Sequence, residues 1–430
     1  MVKMDDNVRE LFAAMRSMHA MSTPAARKIK LRADVYRLLE LVHVDCKNSS
    51  GDTPLIQAAG DGDTEMVRHL LQKGAYLEAK ATRQGMTALL AASRVGKVEI
   101  MKILLDAGAD LHASYRYYGE PCNALHSAIH TGKDEAVEIL LTNGLKTYDA
   151  ESRTTPLHTA VTCFGRGASM LSFLLERGIG DVTAVDDEGR SALQECVARH
   201  YRDDDENLTA TLAVLLDHGA AIDHLSTGDG QSALHYAVGL GYTQTVLFLL
   251  DRGANATIAD SNGQTPLHMA ACRCRDNSVA KTVTALLAKG ALVNAVDGAG
   301  KTPLHYFAAY RDDKCSESVK DVTASLAVLL DHGAAIDQLS RDGESALYMA
   351  VERGTKESVL LLLGRGANAA PANRVGKTAL HMAASRLRDS ATAKIVTALL
   401  ARGAPADAID NEGLLCTILQ RTKVTNTKTT

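Results

Sequence analysis

Tryptophan is absent from this chain, and all aromatic residues together make up 4% of it. A core so poor in rings has to be filled by Leu, Val, Ile and Ala, which suits short helices packed closely together. Proline is scarce as well, with eight in 430 residues. Eight cysteines are dispersed along the chain; only Cys272 and Cys274 are near neighbours, and no Cys-x-x-Cys pair occurs. That spacing argues against a disulfide framework and against a zinc module. Scattered thiols fit a reducing compartment. No apolar run approaches the ~18 residues of a membrane span. The N-terminus carries charges throughout, so neither a signal peptide nor membrane insertion is expected. Net charge is −4 and the pI about 6.4, so no charge excess favours a polyanion or polycation. Nucleic acid would require a local basic patch and is not an expected direct partner. These absences describe a soluble intracellular protein of the cytoplasm, the nucleus or both.

What is present is a recurring phrase. Thr155-Pro156-Leu157-His158, Thr265-Pro266-Leu267-His268 and Thr302-Pro303-Leu304-His305 are its full copies. Looser copies start at Thr53, Thr87, Asn123, Ser191, Ser232, Ser345 and Thr378. Downstream of each lies a Leu-Leu pair or its equivalent and then a glycine, at 74, 108, 144, 178, 219, 253, 290, 333, 366 and 403. A fixed register of starts and stops is a repeat array, and it decides the architecture before any other reading.

The segment from Ser232 to Thr257 shows the logic of one unit. The Ser232 hydroxyl is an N-cap for a free backbone N–H, and in sibling repeats proline follows at the first helical position without losing a hydrogen bond. Leu234, Ala237 and Val238 share an apolar face at helical spacing. Gly241 ends the first helix as a left-handed residue does. A second helix carries Val246, Leu249 and Leu250 inward and closes at Gly253. A polar stretch with Gly263 then predicts a hairpin-like loop leading to Thr265.

Helix, turn, helix and projecting loop at a period near 33 residues resemble the ankyrin repeat. The resemblance covers roughly residues 51–412. It implies an all-α solenoid of about ten repeats, whose neighbours supply the core that no single helix pair can bury alone. Residues 1–50 read as an N-terminal helical cap, with Val8, Leu11, Phe12 and Met15 on one face and a second helix from Thr23-Pro24 presenting Val35, Leu38 and Leu39. Residues 413–430 read as a partial repeat followed by a disordered tail.

The start-to-glycine distance is 21 residues for the starts at 53, 87, 123, 232 and 345, and 23 for the start at 155. It is 25 for the starts at 265 and 378, 28 for 191 and 31 for 302. The extra residues are expected between the two helices. Long, regular and medium spacings follow one another twice, and Leu212 to Gly219 recurs as Leu326 to Gly333, which marks a duplicated three-repeat block.

Six histidines occupy the fourth position of the phrase: His126, His158, His235, His268, His305 and His381. The resemblance implies a structural role for them, bonding loop to neighbouring repeat. His126 and His130 have zinc-like i, i+4 spacing, but no third ligand is evident, and neither a metal nor a cofactor is expected. Gly298-Ala299-Gly300-Lys301-Thr302 looks like a phosphate loop without its first glycine. No nucleophile–base motif is visible, so the chain does not read as an enzyme. Arg-Asp recurs at 202, 275, 311 and 388, where a helix-end cation and a capping Asp are explanation enough; as a ladder, these guanidiniums would grip carboxylates or phosphates.

In ankyrin proteins, the positions just before the first helix's closing glycine, and the loop tips, line the concave face. Here they hold Arg94, His130, Arg199, Leu240, Arg273, Tyr310, Arg353 and Arg386. Five of these eight are Arg in a mildly acidic chain, and Arg and Tyr carry interface energy disproportionately. Arg94, Arg199, Arg273, Tyr310, Arg353 and Arg386 are therefore the candidate partner-binding residues. The expected function is a protein–protein interaction scaffold or adaptor, and the expected partner an acidic or phosphorylated segment of polypeptide. The alternative is a nuclear transcriptional coregulator, which similarity to stand-alone ankyrin proteins of the inhibitor-of-NF-κB type implies.

Overall fold

A computed structural model describes residues 6–20, 23–82, 85–117, 120–145, 155–162, 166–199, 205–273, 278–310, 316–353, 355–385 and 390–413. The local forms follow the punctuation of the sequence. Thr53 Oγ1 accepts the Ile56 N–H, Asn123 Oδ1 accepts that of His126, and Ser232 Oγ accepts that of His235. Pro54, Pro156, Pro266 and Pro303 occupy first-turn positions, where a missing N–H is harmless. At the other end, Gly241 has φ of 80°, a left-handed geometry in which a Cβ is strained.

The chain divides into two compact units, residues 1–187 with 199–220 and residues 188–198 with 221–430. The first unit begins with α1 (Asp6–His19) and α2 (Ala25–Leu39), packed on each other. Helix pairs follow: α3 (Pro54–Asp61) and α4 (Thr64–Gln72), then α5 (Ala88–Val95) and α6 (Val98–Asp106). Next come α7 (Ala124–His130) and α8 (Asp134–Thr142), then α9 (Pro156–Val161) and α10 (Gly167–Glu176). A short antiparallel hairpin, β1 (Ser114–Tyr117) and β2 (Glu120–Asn123), precedes α7 with Tyr115 opposite Cys122. Helix α11 (Ala192–Ala198) belongs to the second unit and α12 (Asp205–Asp217) to the first.

The second unit continues with α13 (Ala233–Leu240) and α14 (Thr243–Asp251). Then come α15 (Pro266–Met269), extended by a 3-10 turn over Ala270–Arg273, and α16 (Val279–Ala288). The remaining pairs are α17 (Pro303–Ala309) with α18 (Ser316–Asp331), α19 (Ala346–Arg353) with α20 (Lys356–Gly364), and α21 (Ala379–Ser385) with α22 (Ser390–Ala401).

Each unit has two helical layers. In the first, α3, α5, α7 and α9 pack in succession, backed by α4, α6 and α8, and α12 packs on α10. In the second, α11, α13, α15, α17, α19 and α21 form one layer and α14, α16, α18, α20 and α22 the other. The leucine of the start phrase is buried in every copy, from Leu55 and Leu89 to Leu347 and Leu380. Val246 and Leu249 are fully buried, as are Leu11 and Phe12 on α1. The apolar faces read from periodicity are thus the packed faces.

The extra residues depart from expectation. They do not all lie between the helices. Helix α14 has 9 residues, whereas α12 has 13 and α18 has 16. Part of the insertion prolongs the second helix at its N-terminus, because residues such as Leu208 and Val322 find buried positions there. Another contact secures the end of an inserted turn. The Asp321 carboxylate on α18 accepts the Val279 and Ala280 N–H groups at 2.8 and 3.3 Å, capping α16 of the preceding repeat.

Loops of the second unit are stitched by one backbone bond per step. Thr227 N–H donates to Glu188 O, Ser261 to Asp229, Gly298 to Asn262, Arg341 to Ala299, Arg374 to Asp342 and Asn411 to Val375. This ladder holds successive loop tips in a single register.

Candidate partner-binding surface

The histidines of the phrase are committed to the scaffold. His235 Nδ1 accepts the Ser232 N–H at 3.2 Å, which leaves the proton on Nε2 to be donated to Gln264 O at 3.1 Å, in the next loop. His268 does the same between Thr265 and Lys301, and His305 between Thr302 and Glu344. Burial pushes all three imidazoles below their usual pKa, against the raising effect of those carbonyl bonds. They are neutral hydrogen-bond bridges at pH 7. In the copies starting at Ser191 and Ser345, Gln194 and Tyr348 stand at the histidine position, whereas Ile56 and Leu90 there carry no polar group. Gln194 accepts the Ser191 N–H and donates to His224 O. Tyr348 accepts from Asn373 Nδ2 at 3.1 Å.

The phosphate-loop look-alike is closed by its own hydrogen bonds. Asp297 Oδ1 takes the N–H groups of Ala299 and Lys301, Asp297 O takes that of Gly300, and Asn262 O takes that of Gly298. No backbone donor of that loop is left to cradle a phosphate. Among the described residues, no group of three or more His, Cys, Asp and Glu is placed to hold a metal ion, and no helix is long and apolar enough to cross a membrane.

The partner-binding candidates fall at the ends of first-layer helices. Arg94 lies in the last turn of α5 and is exposed. Arg199 follows α11, exposed, and Arg353 ends α19 with its side chain 68% exposed and Nε turned to Glu352 at 3.2 Å. Tyr310 caps α17 in extended backbone and is half-buried. Arg273 closes the 3-10 turn after α15, with its side chain outside the described residues. Arg386 lies outside the described residues, as do the Arg-Asp pairs at 202, 275, 311 and 388.

Two features escape a reading by phrase position. Leu225, Val296, Leu339 and Ile409 are 40–59% exposed, each just before the buried Ser or Asp that turns its loop, so the stitched loop tips of the second unit carry an apolar row. In the first unit, cations sit on the glycines that close the preceding repeat's first helix. A Cβ at Gly62 would lie 2.6 Å from Lys97 Cε, and one at Gly96 2.7 Å from Lys133 Cδ. Arg166 Nη1 donates to Gly132 O at 2.7 Å. The signal was present in Gly-Lys at 96–97 and 132–133, but which glycine each side chain covers depends on stacking. Arg94, His130, Thr131, Lys133 and Arg166 line one shallow groove there.

The family profile "Ankyrin repeats (3 copies)" matches residues 25–115, 169–260, 202–296 and 318–410. The B-cell lymphoma 3 protein homolog of Mus musculus is 31% identical over 247 residues, which is 56% of this chain and 46% of that protein. The E3 ubiquitin-protein ligase KEG of Arabidopsis thaliana is 27% identical over 55% of this chain and 15% of its own length. The human BCL-6 corepressor-like protein 1 is 33% identical over 23% of this chain and 5% of its length. This chain therefore spans less than half of each of these relatives. Among solved structures, the ankyrin repeat domain of Bcl-3 is 30% identical, with 55% of this chain and all of that one covered, at a TM-score of 0.42. The profile matches cover more than half of the residues, and the chain belongs to the ankyrin-repeat family, a protein–protein interaction fold.

Proposed function

We propose that this chain is a scaffold or adaptor that holds a polypeptide partner against the ends of its first-layer helices and its loop tips, and that the recognised segment is acidic or phosphorylated. One observation carries the reading: Arg94, Arg199 and Arg353 occupy equivalent helix ends and are all exposed, although a chain of net charge −4 has no general excess of cations. Guanidiniums at such positions favour carboxylates and phosphates through paired donors. Within the second unit, the exposed apolar row of the loop tips adds uncharged contact area. A scaffold whose loops are already hydrogen-bonded in register loses little freedom on binding, which favours affinity. Residues 1–50 act as a cap on the first repeat in this reading. The test is affinity capture with the full chain. Changing Arg199 and Arg353 together to Glu is expected to reduce partner recovery strongly while leaving helix content and melting unchanged; undiminished recovery overturns the reading.

A second reading, a nuclear transcriptional coregulator, draws on the likeness to the B-cell lymphoma 3 homolog and to a protein named as a corepressor. It places the chain in the nucleus for at least part of the time, whereas a cytosolic adaptor stays outside it. Fluorescent tagging separates the two: a pool confined to the cytosol under all conditions removes the coregulator.

A further inference from the structure

The groove at the ends of α5 and α7 brings together cations from three successive repeats: Arg94, Lys133 and Arg166. The side chains of Arg94 and Lys133 have no hydrogen bond or ion pair among the described residues. Lys133 is held nonetheless, because its aliphatic stem lies on Gly96 and leaves the ammonium at the rim. Arg166 is fixed by Gly132 O and reaches Asp134 Oδ2 at 3.4 Å across an exposed surface, a contact worth little in water. His130 adds a half-buried imidazole that burial pushes below its usual pKa. Lys133 and Arg166 are also the N-cap residues of α8 and α10, and neither side chain caps its helix. A cation at the positive end of a helix is the reverse of the stabilising arrangement. At α4 the equivalent place holds Asp63, which accepts the Met66 N–H at 3.0 Å.

We propose that this groove is the docking site for a phosphorylated serine or threonine of the polypeptide partner. The inference rests on the reading that the chain binds an acidic or phosphorylated segment, and it names the site and the group. A phosphomonoester carries a charge of roughly −1.5 to −2 and three acceptor oxygens. That matches the Arg94 fork, the Lys133 point charge and the outward edge of Arg166. A single carboxylate neutralises only one of the three cations, and Asp134 already presents one. A long polyanion is disfavoured by the net charge of −4 on the rest of the chain.

The test uses the full chain and a short fluorescein-labelled Gly/Ser peptide with one central phosphoserine, followed by anisotropy. Its unphosphorylated twin and a twin with Glu in place of phosphoserine are measured alongside. The phosphopeptide is expected to bind about tenfold or more tightly than either twin. Changing Arg94 and Lys133 together to Glu should weaken it by about tenfold or more, the effect of losing charge-assisted hydrogen bonds. Changing the exposed Arg341 and Arg374 to Glu makes the same charge change in the second unit and should leave binding intact. Equal binding of either twin overturns the phosphate preference. Equal weakening by the two double variants shows a net-charge effect and overturns the site. If the wild-type chain ignores the phosphopeptide while partner capture still depends on Arg199 and Arg353, this inference fails and the broader reading stands. If capture is indifferent to Arg199 and Arg353, the broader reading fails.

Discussion

Asp321 Oδ2 accepts the backbone N–H of Val279 at 2.8 Å, across 42 residues of sequence. An N-cap for α16 is thus supplied by the following repeat, where the sequence offers only Ser278, whose side chain makes no cap bond. Asp321→Ala should destabilise by about 0.5–2 kcal/mol, the range for a lost cap. Amide exchange in the first turn of α16 should rise most. Asp321→Asn keeps an acceptor oxygen and should lose much less. Unchanged exchange at Val279 and Ala280 in the Ala variant would refute the cap.

The buried histidines give stability a pH dependence of known sign. Their folded pKa is lowered below the ordinary value of 6.5, so in this window the unfolded chain binds more protons. Stability is therefore complete above the unfolded pKa and declines as pH falls from about 6.5 toward the folded value. His305→Gln places there the side chain that already does this work at Gln194. It should keep most of the stability and reduce the slope below about pH 6.5 in denaturant titrations. An unaltered slope would show that His305 is not a source of it.

Asp63 acts at lower pH. Burial raises its carboxyl pKa, but bonds from His19 and the Met66 N–H, with the Arg32 charge, outweigh burial and hold it below the ordinary 3.8. A depressed carboxylate contributes stability above the unfolded pKa and loses it as pH falls through the folded one. Asp63→Asn should flatten the acid limb below about pH 4 and loosen α1 and α2 from α4, measured by amide exchange. Retention of the wild-type acid limb would count against the contact.

Leu249 is fully buried in α14. Leu249→Ala should cost about 2–5 kcal/mol through the transfer and cavity terms, read from chemical denaturation. A loss of a few tenths would mean that the second helix does not turn this face inward.

Gly96 combines a φ of 77° with Lys133 lying against the site of a Cβ. Gly96→Ala should destabilise by more than the ~1 kcal/mol of an ordinary helical exchange and shift the Lys133 side-chain resonances. Neutrality would show that Lys133 does not rest there.

Much of this fold was legible because its determinants are local. Thr53, Asn123, Ser232 and the glycines at 62, 96 and 241 act within a few residues of themselves, so caps and breaks read directly from the chain. The apolar faces of α1, α13 and α14 follow from 3.6-residue spacing alone. The surface was less legible. Arg94, Arg199 and Arg353 could be placed on equivalent helix ends by counting, whereas the lengthened α12 and α18 could not, because only buried sites at Leu208 and Val322 make the added turns favourable.

The sequence by itself determined the repeat, its caps, its buried leucines and its family, since each is written in the short range that helices and turns obey. Tertiary structure alone decided which residues of different repeats meet: Asp321 with Val279, His305 with Glu344, Lys133 with Gly96. Stacking one helix pair on the next sets those distances, and no spacing within a single repeat contains them. The groove of Arg94, Lys133 and Arg166 is of this second kind, created by the packing of three repeats whose cations are far apart along the chain.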